Sequence, residues 1–146
     1  MKARVQWIGG RSFVGSTESG HSVVLGTAFG EEGKKPGPSA MELVLIGAGG
    51  CSAWDVVNIL EKGREAVDDV TVALDADRAE KEPRVFIRIH LHFVVTGRGL
   101  DPKRVERAIA LSVDKYCSAI QMLIKTAEVS HDFEVIDGQP AAAAPA

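Results

Sequence analysis

The sequence predicts an α+β domain, and three observations carry that prediction. Strand-like alternation of apolar and polar residues recurs at 3–8, 12–26, 70–76 and 84–96. A single long apolar helical stretch fills 39–63 between them, and a second helical region after residue 101 leads into a last strand-like run, "VSHDFEVID". The chain has 146 residues, close to the commonest single-domain size, so residues 1–137 are expected to form one domain and residues 138–146, ending in "PAAAAPA", a disordered Ala/Pro tail.

In order along the chain, "ARVQWI" places Ala3, Val5 and Trp7 on one face of a strand, and "SFVGSTESGHSVVLG" reads as a hairpin turning at Glu18-Ser19-Gly20-His21. "GEEGKKPGP" at 30–38 concentrates Gly, Pro and charge and ends the small sheet in a loop. Ser39 is followed three residues later by Glu42, the capping-box pattern in which each side chain satisfies an orphan N–H at a helix start. That helix stops at Gly63. The runs 70–76 and 84–96 read as a long antiparallel pair, with Val85, Ile87, Ile89, Leu91, Phe93 and Val95 on the buried side. Asp101 as N-cap and Pro102 at the first helical position open the next helix, with Val105, Ala108, Ile109 and Ser112 at helical spacing. The helix over 41–60 is apolar on nearly every side, relieved after the capping Glu42 only by Ser52, Asp55 and Asn58. Such a helix must be covered all round, which predicts an obligate homodimer.

Composition removes several function classes. The formal charge is −3 and the seventeen Lys and Arg are dispersed, which excludes the basic stripe of a nucleic-acid partner. No uninterrupted apolar run reaches about 18 residues and "MKARVQWIGG" lacks a secretory apolar region, so no membrane association and a cytoplasmic location are expected. No nucleotide-binding glycine motif and no G-x-S-x-G serine elbow is present.

The chemistry concentrates in "GAGGCSAWDVV". Three glycines within residues 47–50 cost a helix about 1 kcal/mol each relative to alanine, so something offsets them. Either the helix breaks there and Cys51 sits in the first turn of a restarted helix, where free N–H groups favour a thiolate, or the glycines admit a close neighbour and Cys51 is a small buried hydrophobe. Cys117, in "DKYCSAIQML", stands in a matching context. One cysteine pair is too sparse for a secreted disulfide scaffold, leaving inert core thiols or redox chemistry. His90 and His92, with Arg88, line the polar face of the long strand, and their spacing indicates no third ligand, so no metal site is expected.

The segments "GPSAMELVLIGAGGCSAWDVVNILEK" and "VERAIALSVDKYCSAIQML", the "WIGGRSFVG" and "SGHSVVL" hairpin arms and the P-x-x-F entry to the long strand resemble the OsmC/Ohr family of osmotically inducible and organic hydroperoxide resistance proteins, over residues 3–137. The resemblance is closest to the OsmC-like redox protein branch. It implies antiparallel sheets packed on long central helices in an intertwined homodimer. It implies a thiol-dependent peroxidase reducing organic hydroperoxides, with Cys51 as the peroxidatic thiolate and Cys117 resolving it as a disulfide. A small dithiol or thiol would be the reductant, and no metal, flavin or haem cofactor is required. Glu42 matches the glutamate that positions an arginine beside the sulfur.

That arginine is where the sequence departs from the family pattern. One branch carries it near residues 27–30, where "TAFG" offers Ala28; the other carries it after a Gly-Gly pair, where "GGRSF" offers Arg11. Lys34 and Lys35 are alternative sources of positive charge, less able to orient a peroxide. Ala40 stands where family sequences usually have proline. Met41, Leu45, Trp54, Ile120 and Met122 cluster around the cysteines in sequence and make a candidate apolar substrate wall, while core packing explains the same residues. The alternative function is a non-enzymatic dimer that binds a small hydrophobic ligand and leaves both thiols inert.

Overall fold

The computed structural model describes residues 1–27, 33 and 35–138. It divides into two compact units with a boundary between Ile46 and Gly47.

The N-terminal unit is built on an antiparallel sheet of order β1-β2-β3, with β1 Ala3–Trp7, β2 Ser12–Thr17 and β3 Ser22–Gly26. The hairpin turns over residues 18–21 as its Ser-Gly chemistry predicts, Gly20 supplying a φ of +85°. Much of the sheet's apolar surface is open: Val5, Trp7, Ile8, Val23 and Val24 are all exposed. Ala28, Lys34 and residues 30–32 of the predicted 30–38 loop lie outside the described residues, as does the tail beyond Gly138.

Helix α1, Ala40–Lys62, starts where the capping box places it. The Ser39 backbone N–H donates to Glu42 Oε2 at 2.6 Å, and the Glu42 N–H donates to Ser39 Oγ at 3.2 Å. The helix runs unbroken through residues 47–50, so the predicted restart before Cys51 does not exist. Close packing explains one of the glycines. A Cβ on Gly49 would lie 2.6 Å from Leu74 Cδ1, inside ordinary contact distance. Ala48, Gly49, Ser52, Val56 and Leu60 form the buried stripe of the helix, while Val44, Ile46 and Trp54 are exposed. An 18-residue window of α1 has a mean hydropathy of 1.6, so α1 is long and apolar enough to pass a test that membrane-crossing helices and the core helices of soluble proteins both pass.

In the C-terminal unit the sheet has the order β4-β5-β6, with β4 Ala66–Arg78, β5 Phe86–Arg98 and β6 Glu128–Asp137. β4 and β5 pair antiparallel as predicted, but β6 runs parallel to β5, from Arg88↔Glu128 to Gly97↔Asp137. The helices between them return the chain to the end of the sheet where β5 began, so the sheet is mixed. Its buried face also differs at one end. Arg78 pairs with Phe86 while Asp77 pairs with Arg88, an extra residue in β5 that reverses the alternation. Phe86 is therefore buried and Val85 and Ile87 are exposed, while Ile89, Leu91, Phe93 and Val95 face the core as expected. Helix α2, Pro102–Leu111, opens on the Asp101 cap, whose carboxylate accepts the Lys103 N–H at 2.9 Å. Its Val105, Ala108 and Ile109 join the β5 residues and the lower half of α1 in the core.

Candidate thiol site

The segment after α2 does not continue as α-helix. Residues Ser112–Tyr116 form a π-helical turn, closed by the Cys117 N–H donating to the Ser112 carbonyl at 2.8 Å. The Gln121 side-chain amide donates to the Val113 carbonyl at 2.9 Å, satisfying one acceptor the widened turn leaves over. Cys117 then takes extended backbone angles and caps the short helix α3, Ser118–Leu123. Of the two matching contexts the sequence suggested for a helix restart, the one at Cys117 is present and the one at Cys51 is not.

These elements bring the two cysteines together. Both are reduced, Cys51 half-buried in mid-helix and Cys117 fully buried. Cys51 Sγ, Cys117 Sγ and an Asp55 carboxylate oxygen all lie within 4.8 Å of one another. Cys117 Sγ also points at the Ala48 carbonyl, 3.9 Å away. Burial pushes the Cys117 thiol up to about 11, although the N–H groups of Ile120 and Ala119 favour the thiolate; neighbouring Cys51 raises it further. The same three groups, two sulfurs and one carboxylate oxygen, have the spacing of a metal-ligand set.

Asp55 was not among the sequence candidates. Its signal was present: four residues after Cys51, it shares that residue's face of α1. Ser112 Oγ lies 3.1 Å from Asp55 Oδ2 and 3.2 Å from the Ser52 carbonyl, and it pairs with Ser52 Oγ at 3.0 Å. Both serines are fully buried, so this network ties the π turn to α1 beside the thiols.

The other candidates fall as follows. Glu42 and Arg11 belong to the N-terminal unit. The Glu42 carboxylate is held by Ser39 and by Lys35 Nζ at 3.2 Å, and the Ser39 hydrogen bonds followed by Lys35 bring its pKa down to about 2. Arg11 lies in the turn between β1 and β2 and lines a cavity of about 480 Å³ with Phe13, Leu25, Gly26, Thr27 and Ala40. Of the apolar residues, Ile120 is fully buried in the core, Met41 and Leu45 are half-buried, and Trp54 and Met122 are exposed at 66% and 69%. On the polar face of β5, register sets His90 against Ser130 and His92 against Asp132. His92 Nδ1 lies 2.6 Å from Asp132 Oδ1, a contact that lowers the Asp132 pKa.

The family model for OsmC-like proteins matches residues 31–132. The chain belongs to the OsmC-like family. Within it, Protein YhfA of Escherichia coli (strain K12) is 49% identical over 136 residues, 93% of this chain and 98% of YhfA. The crystal structure of a hypothetical protein from Aquifex aeolicus VF5 is 28% identical with a TM-score of 0.77, covering 93% of this chain and 97% of that one. The organic hydroperoxide resistance protein OhrB of Bacillus subtilis shares the fold at 15% identity, with a TM-score of 0.65 over 92% of this chain and 98% of OhrB. The α+β OsmC-like fold predicted from the sequence is thus the observed one.

Proposed function

We propose that this OsmC-like protein is a cytoplasmic thiol peroxidase that reduces organic hydroperoxides through Cys51 and Cys117. The observation that carries the reading is the asymmetry of the thiol pair: two reduced sulfurs face one another, the half-buried one accessible and the buried one held neutral. Relatives of the same fold named for organic hydroperoxide resistance support the substrate class.

In the proposed cycle the Cys51 thiolate attacks the hydroperoxide, the O–O bond breaks, and the departing alkoxide takes a proton to become the alcohol. Cys51 is left as a sulfenic acid. The Cys117 sulfur attacks it, water leaves, and a disulfide forms. A small dithiol reduces that disulfide and is itself oxidised. Trp54 and Met122 are the proposed apolar contacts for the alkyl group. The exposed apolar residues of β1–β3 and α1 support a homodimer in which a second copy covers them.

The test is one equivalent of an alkyl hydroperoxide added to the reduced protein, followed by digestion and mass spectrometry. A Cys51–Cys117 crosslink is expected, and Cys51→Ser is expected to abolish peroxide consumption. Unconsumed peroxide with Cys51 unoxidised would refute the reading. A second reading, binding of a small hydrophobic ligand with both thiols inert, has in its favour the cavity lined by Phe13 and Leu25, and the same experiment separates the two.

A further inference from the structure

The thiol pair leaves one step without a partner. For Cys117 to attack an oxidised Cys51 its sulfur must lose a proton, and burial holds that proton on. The neighbouring oxygen atoms are poor acceptors. The Ala48 carbonyl and the hydroxyls of Ser52 and Ser112 have no basicity near neutral pH. Among the described His, Cys, Asp and Glu residues, Asp55 is the one that stands within 4.8 Å of both sulfurs. Its carboxylate is oriented by Ser112 Oγ, and a carboxylate that receives one hydroxyl keeps capacity for a further donor.

Resting on the peroxidase reading, we propose that Asp55 is the proton acceptor for Cys117 during closure of the Cys51–Cys117 disulfide. As the S–S bond forms and the S–O bond of the Cys51 sulfenic acid breaks, the Cys117 proton passes to the Asp55 carboxylate. The protonated Asp55 then gives it to the departing hydroxide, which leaves as water. Asp55 ends as the carboxylate and no electron donor or acceptor is needed beyond the two sulfurs. This role belongs to the second step alone, since the proton it takes is that of Cys117 and the sulfur that attacks the peroxide is Cys51.

Two parallel measurements on the full chain test this. In one, wild type and Asp55→Asn react with one equivalent of cumene hydroperoxide in the presence of dimedone, and the Cys51 sulfenic adduct is quantified by mass spectrometry. In the other, Cys51 is converted to its mixed disulfide with DTNB. Release of the second thionitrobenzoate at 412 nm then reports attack by Cys117 independently of any peroxide chemistry. Asp55→Asn is expected to form the sulfenic acid at least as fast as wild type and to accumulate it. Its closure at pH 7 should be slower by about 100-fold, the ordinary worth of a general base. The deficit should shrink toward pH 10–11, where Cys117 ionises without help, a recovery that a purely structural defect would not show. Asp55→Glu, which keeps a carboxylate, is expected to retain closure within about tenfold of wild type. Closure by Asp55→Asn at the wild-type rate at pH 7, a deficit independent of pH, or an Asp55→Glu defect as large as that of Asp55→Asn overturns the proposal. A wild type that closes from the DTNB adduct but never oxidises with peroxide refutes the peroxidase reading and leaves the Asp55 role standing.

Discussion

Gly49→Ala tests whether the glycine in mid-helix exists for packing. Alanine gains about 1 kcal/mol of helix propensity over glycine. Against that, the new Cβ would stand 2.6 Å from Leu74 Cδ1, and 3.7 Å from Leu74 Cδ2 and Cγ. Carbon atoms rest at about 3.5–4.0 Å, so the leucine has to move by about 1 Å. Overpacking of this kind costs about 1–3 kcal/mol. The net expectation is a loss of about 1 kcal/mol in the wild-type background. With Leu74→Ala already in place the obstructing atoms are gone, and the same substitution should stabilise by about 1 kcal/mol, a coupling of about 2 kcal/mol. Urea unfolding of the four proteins at one fixed concentration, followed by circular dichroism, reads this directly. With a slope of about 1–3 kcal/mol/M, the coupling corresponds to a midpoint shift of about 1 M. An equal effect of Gly49→Ala in both backgrounds would refute close packing as the reason for the glycine.

Two further outcomes are expected. The Cys117 thiol ionises near 9.0 when unfolded and at about 11 when folded, so its contribution to stability is complete below pH 9 and is lost as pH rises through 11. Thermal melts across that window should show a decline on the order of 2 kcal/mol in wild type that Cys117→Ala does not share, and parallel profiles would exclude the burial argument. Ser112→Ala should cost about 1–3 kcal/mol, because it leaves the buried Ser52 hydroxyl without its partner. The double variant Ser52→Ala/Ser112→Ala should lose less than the sum of the singles in chemical denaturation, and strict additivity would disprove the pairing.

What the sequence made legible is what local chemistry decides. The turn at 18–21, the Ser39–Glu42 box and the Asp101 cap each rest on residues within four positions of one another, and each is present. The reversal of burial at Phe86 is a property of two strands in register, invisible in the β5 run read alone. The direction of β6 depends on where the helices after Gly99 deliver the chain. Of the two readings open at 47–50, the fold selects close packing: the helix continues and Gly49 lies against Leu74, a neighbour 25 positions away that no local pattern could name. At the site, both cysteines were readable as redox candidates. Asp55 was visible as a polar interruption of an apolar helix, and only the fold brings Cys117 and Ser112 to it. The π turn had no sequence signal comparable to a cap or a turn motif.

That turn makes the placement of Cys117 a matter of counting. The ring closed from the Cys117 N–H to the Ser112 carbonyl holds one residue more than an α-helical turn. Substitutions at 113–116 leave the count intact, whereas deletion of one residue would re-form an α turn and swing the sulfur by about 100° around the axis, away from Asp55 and Cys51. Chain length between α2 and α3 is therefore as much a determinant of the thiol pair as the identity of the cysteines.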